Sequence, residues 1–279
     1  MNDRIAVSSW SLHRLLGVTF PHDLETDAVG RREETFGPAN AELIDLPRLV
    51  AGHGIGRLEI CSFHIPSRDA GYLAELRAAL QAAGVRLQTL LIEAGDLSDP
   101  ASADRDAAWI SGWVEVAAEI GAENARIIAG KQKPEKEALD LAAAKLREIA
   151  GRSAGSDVKL VTENWFDLLP TPDEVHYLLD ATDGLIGLNG DFGNWSDPRK
   201  YEWLGAIFGR ASICHAKASY RDGVMDAADY GRCVDVAEAA GYAGPYTLIF
   251  DSDKPGEWVG VEEEKAFILD RITVRQAAQ

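Results

Sequence analysis

Short apolar runs rich in β-branched residues alternate along this chain with longer stretches whose apolar positions recur at helical spacing. The short runs are 5–10, 57–63, 86–92, 125–129, 159–164, 185–191, 212–217 and 246–251, and each reads as a strand. The longer stretches are 41–53, 73–83, 103–120, 135–150, 172–181, 198–208, 227–240 and 261–275, and each reads as an amphipathic helix. Gly84, Gly121, Gly151 and Gly241 stand where a left-handed cap would end a helix and turn the chain into the next strand. Strands alternating with helices imply a parallel sheet covered by helices. Eight such units point to a closed (β/α)8 barrel of the TIM type, formed as one domain over residues 1–279. A doubly wound open sheet shares the local pattern and is the alternative.

One segment breaks the rhythm. From Gly17 to Asn40 the chain carries Pro21, His22, Gly30, Arg31-Arg32 and Glu33-Glu34 in place of a helical stripe. It reads as a long first β/α loop, either a cover for a site at the strand ends or a surface excursion.

Composition narrows the class. With 46% hydrophobic and 26% charged residues the chain is an ordinary globular sequence with enough apolar surface for a large core. A formal charge of −17 repels phosphate backbones and anionic membranes, so neither nucleic acid nor a membrane is an expected partner. Cys61, Cys214 and Cys233 are odd in number and far apart, which argues against a disulfide framework and for a reducing cytoplasm. Met1 to Trp10 holds too short an apolar run for a signal peptide, and no run approaches the roughly 18 apolar residues of a membrane span. Gly52, Gly54 and Gly56 precede a strand, so they do not form a dinucleotide loop.

In such a barrel, chemistry belongs to polar side chains at the carboxyl ends of strands. Glu163, Asp191 and His215 fall at the ends of the fifth, sixth and seventh runs. Singly, each reads as readily as a cap or an ion-pair partner. Together, two carboxylates and an imidazole from consecutive strands form a donor set for Mn2+, Mg2+, Co2+ or Zn2+.

Several quoted segments, in order, resemble the xylose-isomerase-like TIM barrels, a family of sugar and sugar-phosphate isomerases and ketose 3-epimerases that extends more distantly to endonuclease IV. They are Ser8-Ser9-Trp10-Ser11, Arg57-Leu58-Glu59-Ile60, Thr162-Glu163-Asn164, Asp191-Phe192-Gly193-Asn194, His215-Ala216-Lys217 and Gly241-Tyr242-Ala243-Gly244-Pro245. The resemblance implies a divalent metal, with Mn2+ expected first, held by Glu163, Asp191, His215 and a second glutamate, the two glutamates acting as acid and base. That second glutamate falls on Ile249. Asp251, two residues on and on the same face of an extended strand, stands about 6.6 Å nearer the mouth and is the substitute expected for both ligation and proton transfer.

Trp165 and Asn194 replace histidines common in the family, and are expected to bind substrate with Trp10 and His64. Glu163, Asp251 and Lys217 are the expected catalytic residues, with Lys217 stabilising an oxyanion. Glu59 should face the barrel interior with Lys217 or Arg126 as its counter-charge. Lys131, Lys133 and Arg221 are candidates for holding a substrate anion, or else solvated loop charges. Trp195 and Trp258 complete a set of strand-end tryptophans suited to sugar stacking. The function so implied is a metal-dependent sugar or sugar-phosphate isomerase or epimerase working through an enediolate. The alternative is a catalytically impaired barrel that keeps a sugar-binding or regulatory role, because of Ile249. The expected partner is a small-molecule carbohydrate, and the chain is compatible with a homo-oligomer.

Overall fold

The computed structural model describes residues 3–277, so Met1 and Asn2 of the amino-terminal stretch, and Ala278 and Gln279, lie outside the described residues. Eight parallel strands close into a barrel: β1 (Ile5–Ser8), β2 (Arg57–Cys61), β3 (Arg86–Ile92), β4 (Asn124–Ile127), β5 (Lys159–Glu163), β6 (Ile186–Asp191), β7 (Ala211–Lys217) and β8 (Tyr246–Ile249). The open-sheet alternative fails because β8 pairs with β1, with Ile5 opposite Tyr246, and leaves no free edge.

Helices α1 (Leu46–Gly52), α2 (Ala70–Ala83), α3 (Ala103–Ile120), α4 (Lys136–Arg152), α5 (Pro172–Ala181), α6 (Lys200–Ile207), α7 (Ala227–Ala239) and α8 (Glu257–Ala277) follow the strands. Their apolar stripes, with Trp113 and Tyr230 fully buried among them, pack against the outer face of the barrel. Among the described residues no helix is long and apolar enough to cross a membrane. The three cysteines are buried free thiols.

Several helix boundaries differ from the sequence reading, and two of them have a clear local cause. The stretch 41–53 yields an α-helix only from Leu46, after a 3-10 turn at Leu43–Asp45, because Pro47 lacks an N–H and is tolerated only in a first helical turn. Gly84 and Gly121 do cap α2 and α3 in the left-handed region, at φ +65° and +78°. Gly151, by contrast, stays helical, and α4 runs on to Arg152, whose guanidinium is 2.5 Å from Glu148 one turn back.

The long first loop is built, not loose. Two-residue strands His22–Asp23 and Ala28–Val29 pair within it, and the Phe20 N–H donates to the Phe63 carbonyl. Phe36 sets its ring edge against Trp10, so this segment walls the barrel mouth.

Candidate metal centre

Strand register decides which side chains meet at the mouth. Glu163 lies opposite Asn189 across β5 and β6, Asp191 opposite His215 across β6 and β7, and Ile249 opposite Lys217 across β7 and β8. An irregularity between Leu188 and Asn189 shifts the β6–β7 pairing and brings the Asp191 and His215 ends level.

The outcome is one compact group. Glu163, Asp191 and His215 each offer a ligand atom, and these atoms lie within 4.8 Å of one another. His215 Nδ1 is 3.4 Å from Glu163 Oε1 and 3.6 Å from Asp191 Oδ2. All three side chains are buried at the floor of a cavity of about 390 Å3.

The layer beneath fixes the imidazole. His215 Nε2 is 2.9 Å from Glu59 Oε2, while Glu59 Oε1 accepts from Gln88 Nε2 and Thr89 Oγ1, both at 2.8 Å. Gln88 Nε2 also donates to Thr247 Oγ1. Neither Lys217 nor Arg126 is the counter-charge of Glu59, as the sequence had suggested; its partner is the histidine. A carboxylate behind the far nitrogen of a ligand histidine fixes ring orientation and leaves the near nitrogen free for a metal.

Arg126 serves the other end of the group. Its Nη2 is 2.5 Å from Glu93 Oε1 and its Nε 3.3 Å from Glu163 Oε2, and its guanidinium lies 5.1 Å from the Trp165 ring centroid. Glu163 also accepts from Asn194 Nδ2 at 2.8 Å and Asn189 Nδ2 at 3.3 Å. Burial alone would raise the Glu163 pKa, but the charges of His215 and Arg126 outweigh it and pull the value down to about 2. Burial likewise opposes the charge on His215, yet Glu163 and Glu59 raise its pKa well above the ordinary range. In this arrangement the proton on His215 stands where a cation would stand.

Asp191 is organised from its own loop: its Oδ1 accepts from the N–H groups of Gly193 (2.5 Å) and Asn194 (2.8 Å). Gly193 leaves room for a neighbour, since a Cβ there would come within 2.8 Å of Lys217 Cδ.

The eighth strand gives a different picture. β8 ends at Ile249, which lines the cavity, so the position matched to the family's second glutamate presents an apolar side chain. Asp251 lies past the strand end and lines the same cavity, but it stands outside the three-residue group and accepts from Lys217 Nζ at 2.7 Å. Burial disfavours the Lys217 ammonium, but Asp251 more than compensates and raises its pKa.

Of the residues expected to bind substrate, Trp10, Trp165 and Asn194 line the cavity with Phe63 and Leu91. His64 does not. It is buried against Ser9, with Nδ1 2.8 Å from Ser9 Oγ, and borders a separate cavity of about 300 Å3 under the first loop. Burial drops its pKa to about 3 and keeps it neutral. Trp195 is buried and donates to the Leu169 carbonyl, and Trp258 stacks on His53, so neither belongs to the mouth. Lys131, Lys133 and Arg221 are exposed and outside the cavity wall. The sequence reading did not single out Glu93, Asn189 or Gln88, because a lone polar residue in or just past a strand carries no periodic signal.

Comparison with known proteins bears on the fold that carries this group. No curated protein matches the sequence. Among solved structures, L-ribulose 3-epimerase superposes with a TM-score of 0.72 at 17% identity, covering 99% of this chain and 97% of that one. A xylose isomerase-like TIM barrel protein from Mycobacterium smegmatis in complex with magnesium gives 0.68 at 16% identity over 97% of both chains. D-psicose 3-epimerase from Clostridium cellulolyticum H10 with D-tagatose gives 0.67 at 14% identity, covering 96% of this chain and 97% of that one. At these identities the likeness is one of fold. The model of the xylose isomerase-like TIM barrel family, however, matches residues 47–269, which is most of the sequence, and the chain belongs to that family.

Proposed function

We propose that this chain is a divalent-metal-dependent sugar isomerase or epimerase, with Mn2+ as the first metal to test. The observation that carries the reading is the convergence of Glu163, Asp191 and His215 at one cavity floor, with ligand atoms inside 4.8 Å and Glu59 behind the imidazole. Two hard oxygen donors and one imidazole fit Mn2+, Mg2+, Co2+ or Zn2+, and the carboxylate–histidine backing is what such a ligand requires. Bound there, the ion supplies polarisation of a sugar carbonyl and charge stabilisation of an enediolate.

The protein groups divide the remaining work. Glu163, surrounded by the N–H donors of Arg126, Asn189 and Asn194, serves as a ligand more readily than as a base. Proton transfer then falls to the Lys217–Asp251 pair farther out, at the ends of β7 and β8, with Asp251 Oδ accepting a proton and Lys217 Nζ facing the developing oxyanion. Trp10 and Trp165 offer faces for the C–H side of a sugar, and Asn194 offers an amide to a hydroxyl. The magnesium complex and the ketose epimerases among the structural neighbours support the same reading.

The test is Mn2+-dependent exchange of substrate C–H protons with deuterated solvent over a panel of ketoses. Exchange should be lost in Glu163→Ala and fall about 10²–10⁴-fold in Lys217→Met. No exchange with any sugar by the metal-loaded protein would sink the enzymatic reading. Ile249 favours a second one, a barrel that binds sugar without turning it over; sugar binding by calorimetry with no exchange would select it.

A further inference from the structure

The charges of the mouth say something about the substrate. Four carboxylates line the cavity, Glu93, Glu163, Asp191 and Asp251, against two permanent cations, Arg126 and Lys217. With a divalent ion in place these charges cancel, and Glu59 beneath His215 adds a further negative one.

Neither cation is open to a substrate phosphate or carboxylate in the resting site. Arg126 is buried, with Nη2 on Glu93, Nε 3.3 Å from Glu163 and Nη1 shut off from solvent, and Lys217 Nζ stays with Asp251 at 2.7 Å until that carboxylate takes a proton. On the rim, the Arg14 guanidinium donates to the Ser252 carbonyl and the Lys131 ammonium sits over the Phe166 ring.

Carboxylates also stand at the places where a phosphate would seek backbone donors. In this barrel type phosphate is commonly held by the loops after the seventh and eighth strands and a helix N-terminus. Here the Asp226 side chain caps α7 by accepting from the Asp229 N–H, and Glu257 occupies the first turn of α8, its carboxylate accepting from the Arg14 and Leu15 N–H groups. After β6, the Gly193 and Asn194 N–H groups point at Asp191. A phosphomonoester would have to displace Asp226 at α7 and Asp191 after β6, and would meet the charge of Glu257 at α8, whereas hydroxyl groups can share these places.

We infer that the site takes an uncharged polyhydroxy carbonyl compound, a free sugar, and rejects sugar phosphates and sugar acids, with Glu93 and Asp251 as the specificity-determining residues that keep Arg126 and Lys217 occupied. This rests on the function proposed above and goes beyond it by assigning the charge of the substrate.

The experiment is calorimetric binding and solvent-proton exchange with the Mn2+-loaded full chain. The ligands are D-fructose, D-tagatose and D-ribulose, each set against its terminal phosphate. Free sugars should bind and exchange at least about 100-fold better than their phosphates, a ratio worth about 2.7 kcal/mol. Glu93→Gln, which releases one side of Arg126, should narrow that ratio about 10-fold while leaving Mn2+ bound. Phosphates that bind as tightly as free sugars in the unaltered protein would overturn the inference and leave the isomerase reading standing. A ratio unmoved in Glu93→Gln would remove Glu93 from the explanation, and Asp251→Asn read by binding alone then tests the Lys217 side in the same way. If neither class binds or exchanges, the proposed function itself fails.

Discussion

The inner arc of the mouth, where Glu163, Asp191 and His215 meet, and the outer arc beside it, where β7 and β8 end, are built on opposite plans. On the first, every functional atom is backed by a second polar group: Glu59 behind His215, Arg126 and two asparagines around Glu163, and two backbone N–H groups on Asp191. On the second, Ile249 is a bare hydrocarbon, and a half-buried pair stands farther out, Lys217 at the end of β7 with Asp251 past β8. A buried donor set braced on several sides holds its geometry before anything binds, whereas the outer pair is half-buried and less constrained. The contrast teaches that, under the proposed function, holding a cation would fall to the braced inner group and moving a proton to the looser pair outside it.

The strongest way to break that division is Glu163→Ala, expected to weaken Mn2+ binding by at least ~100-fold in calorimetry, with Asp251→Ala changing it far less. Equal losses in the two variants would show Asp251 to be a ligand after all. Next in size, Glu59→Gln removes the carboxylate behind the ligand histidine and should cost about 10–100-fold in metal affinity, read by the same titration.

Ile249→Glu sharpens the comparison by giving the second arc a carboxylate. It should tighten Mn2+ about 10-fold, while the metal-free variant melts earlier by roughly 1–3 kcal/mol for an unpaired buried acid. No change in affinity would mean that β8 does not aim its side chain at the group.

The smallest effect concerns a carboxyl outside both arcs. Glu264 on α8 is buried with neither oxygen hydrogen-bonded, and burial, with Glu263 adding to it against the weaker opposing pull of Lys217, raises its pKa well above the carboxylate range. A folded pKa above the unfolded one means that stability is complete below the unfolded value, near pH 4, and is lost as pH rises through the folded one. Glu264→Gln should therefore stabilise the protein by about 1–3 kcal/mol at pH 7 and by little at pH 4, as thermal melts at the two pH values would report.

Much of this was legible in the sequence, and the reason is periodic. All eight strands and the order of the helices follow from apolar spacing, and Glu163, Asp191 and His215 announce themselves by standing where apolar runs stop. What could not be read was pairing between strands that are distant in sequence. Glu59 and His215 are separated by 156 positions and meet only because the barrel closes, so a reading that sought a cation for Glu59 chose the wrong neighbour. His64 misled for a related reason: a histidine just past a strand can turn toward the axis or away from it, and here Ser9 turns it away. Asp251 was assigned the right cavity, but extending β8 two residues too far gave it a ligand's direction in place of a lysine's partner.

Gly193 carries a consequence out of proportion to its size. Because a single added methyl there would press on the middle of the Lys217 side chain, the path of that long flexible arm to its terminal nitrogen is set by an atom the protein does not have. An alanine at 193 would alter no charge yet press on the arm that carries the ammonium to Asp251, so the placement of that pair is open to steric drift at a residue with no side chain to titrate, ligate or donate.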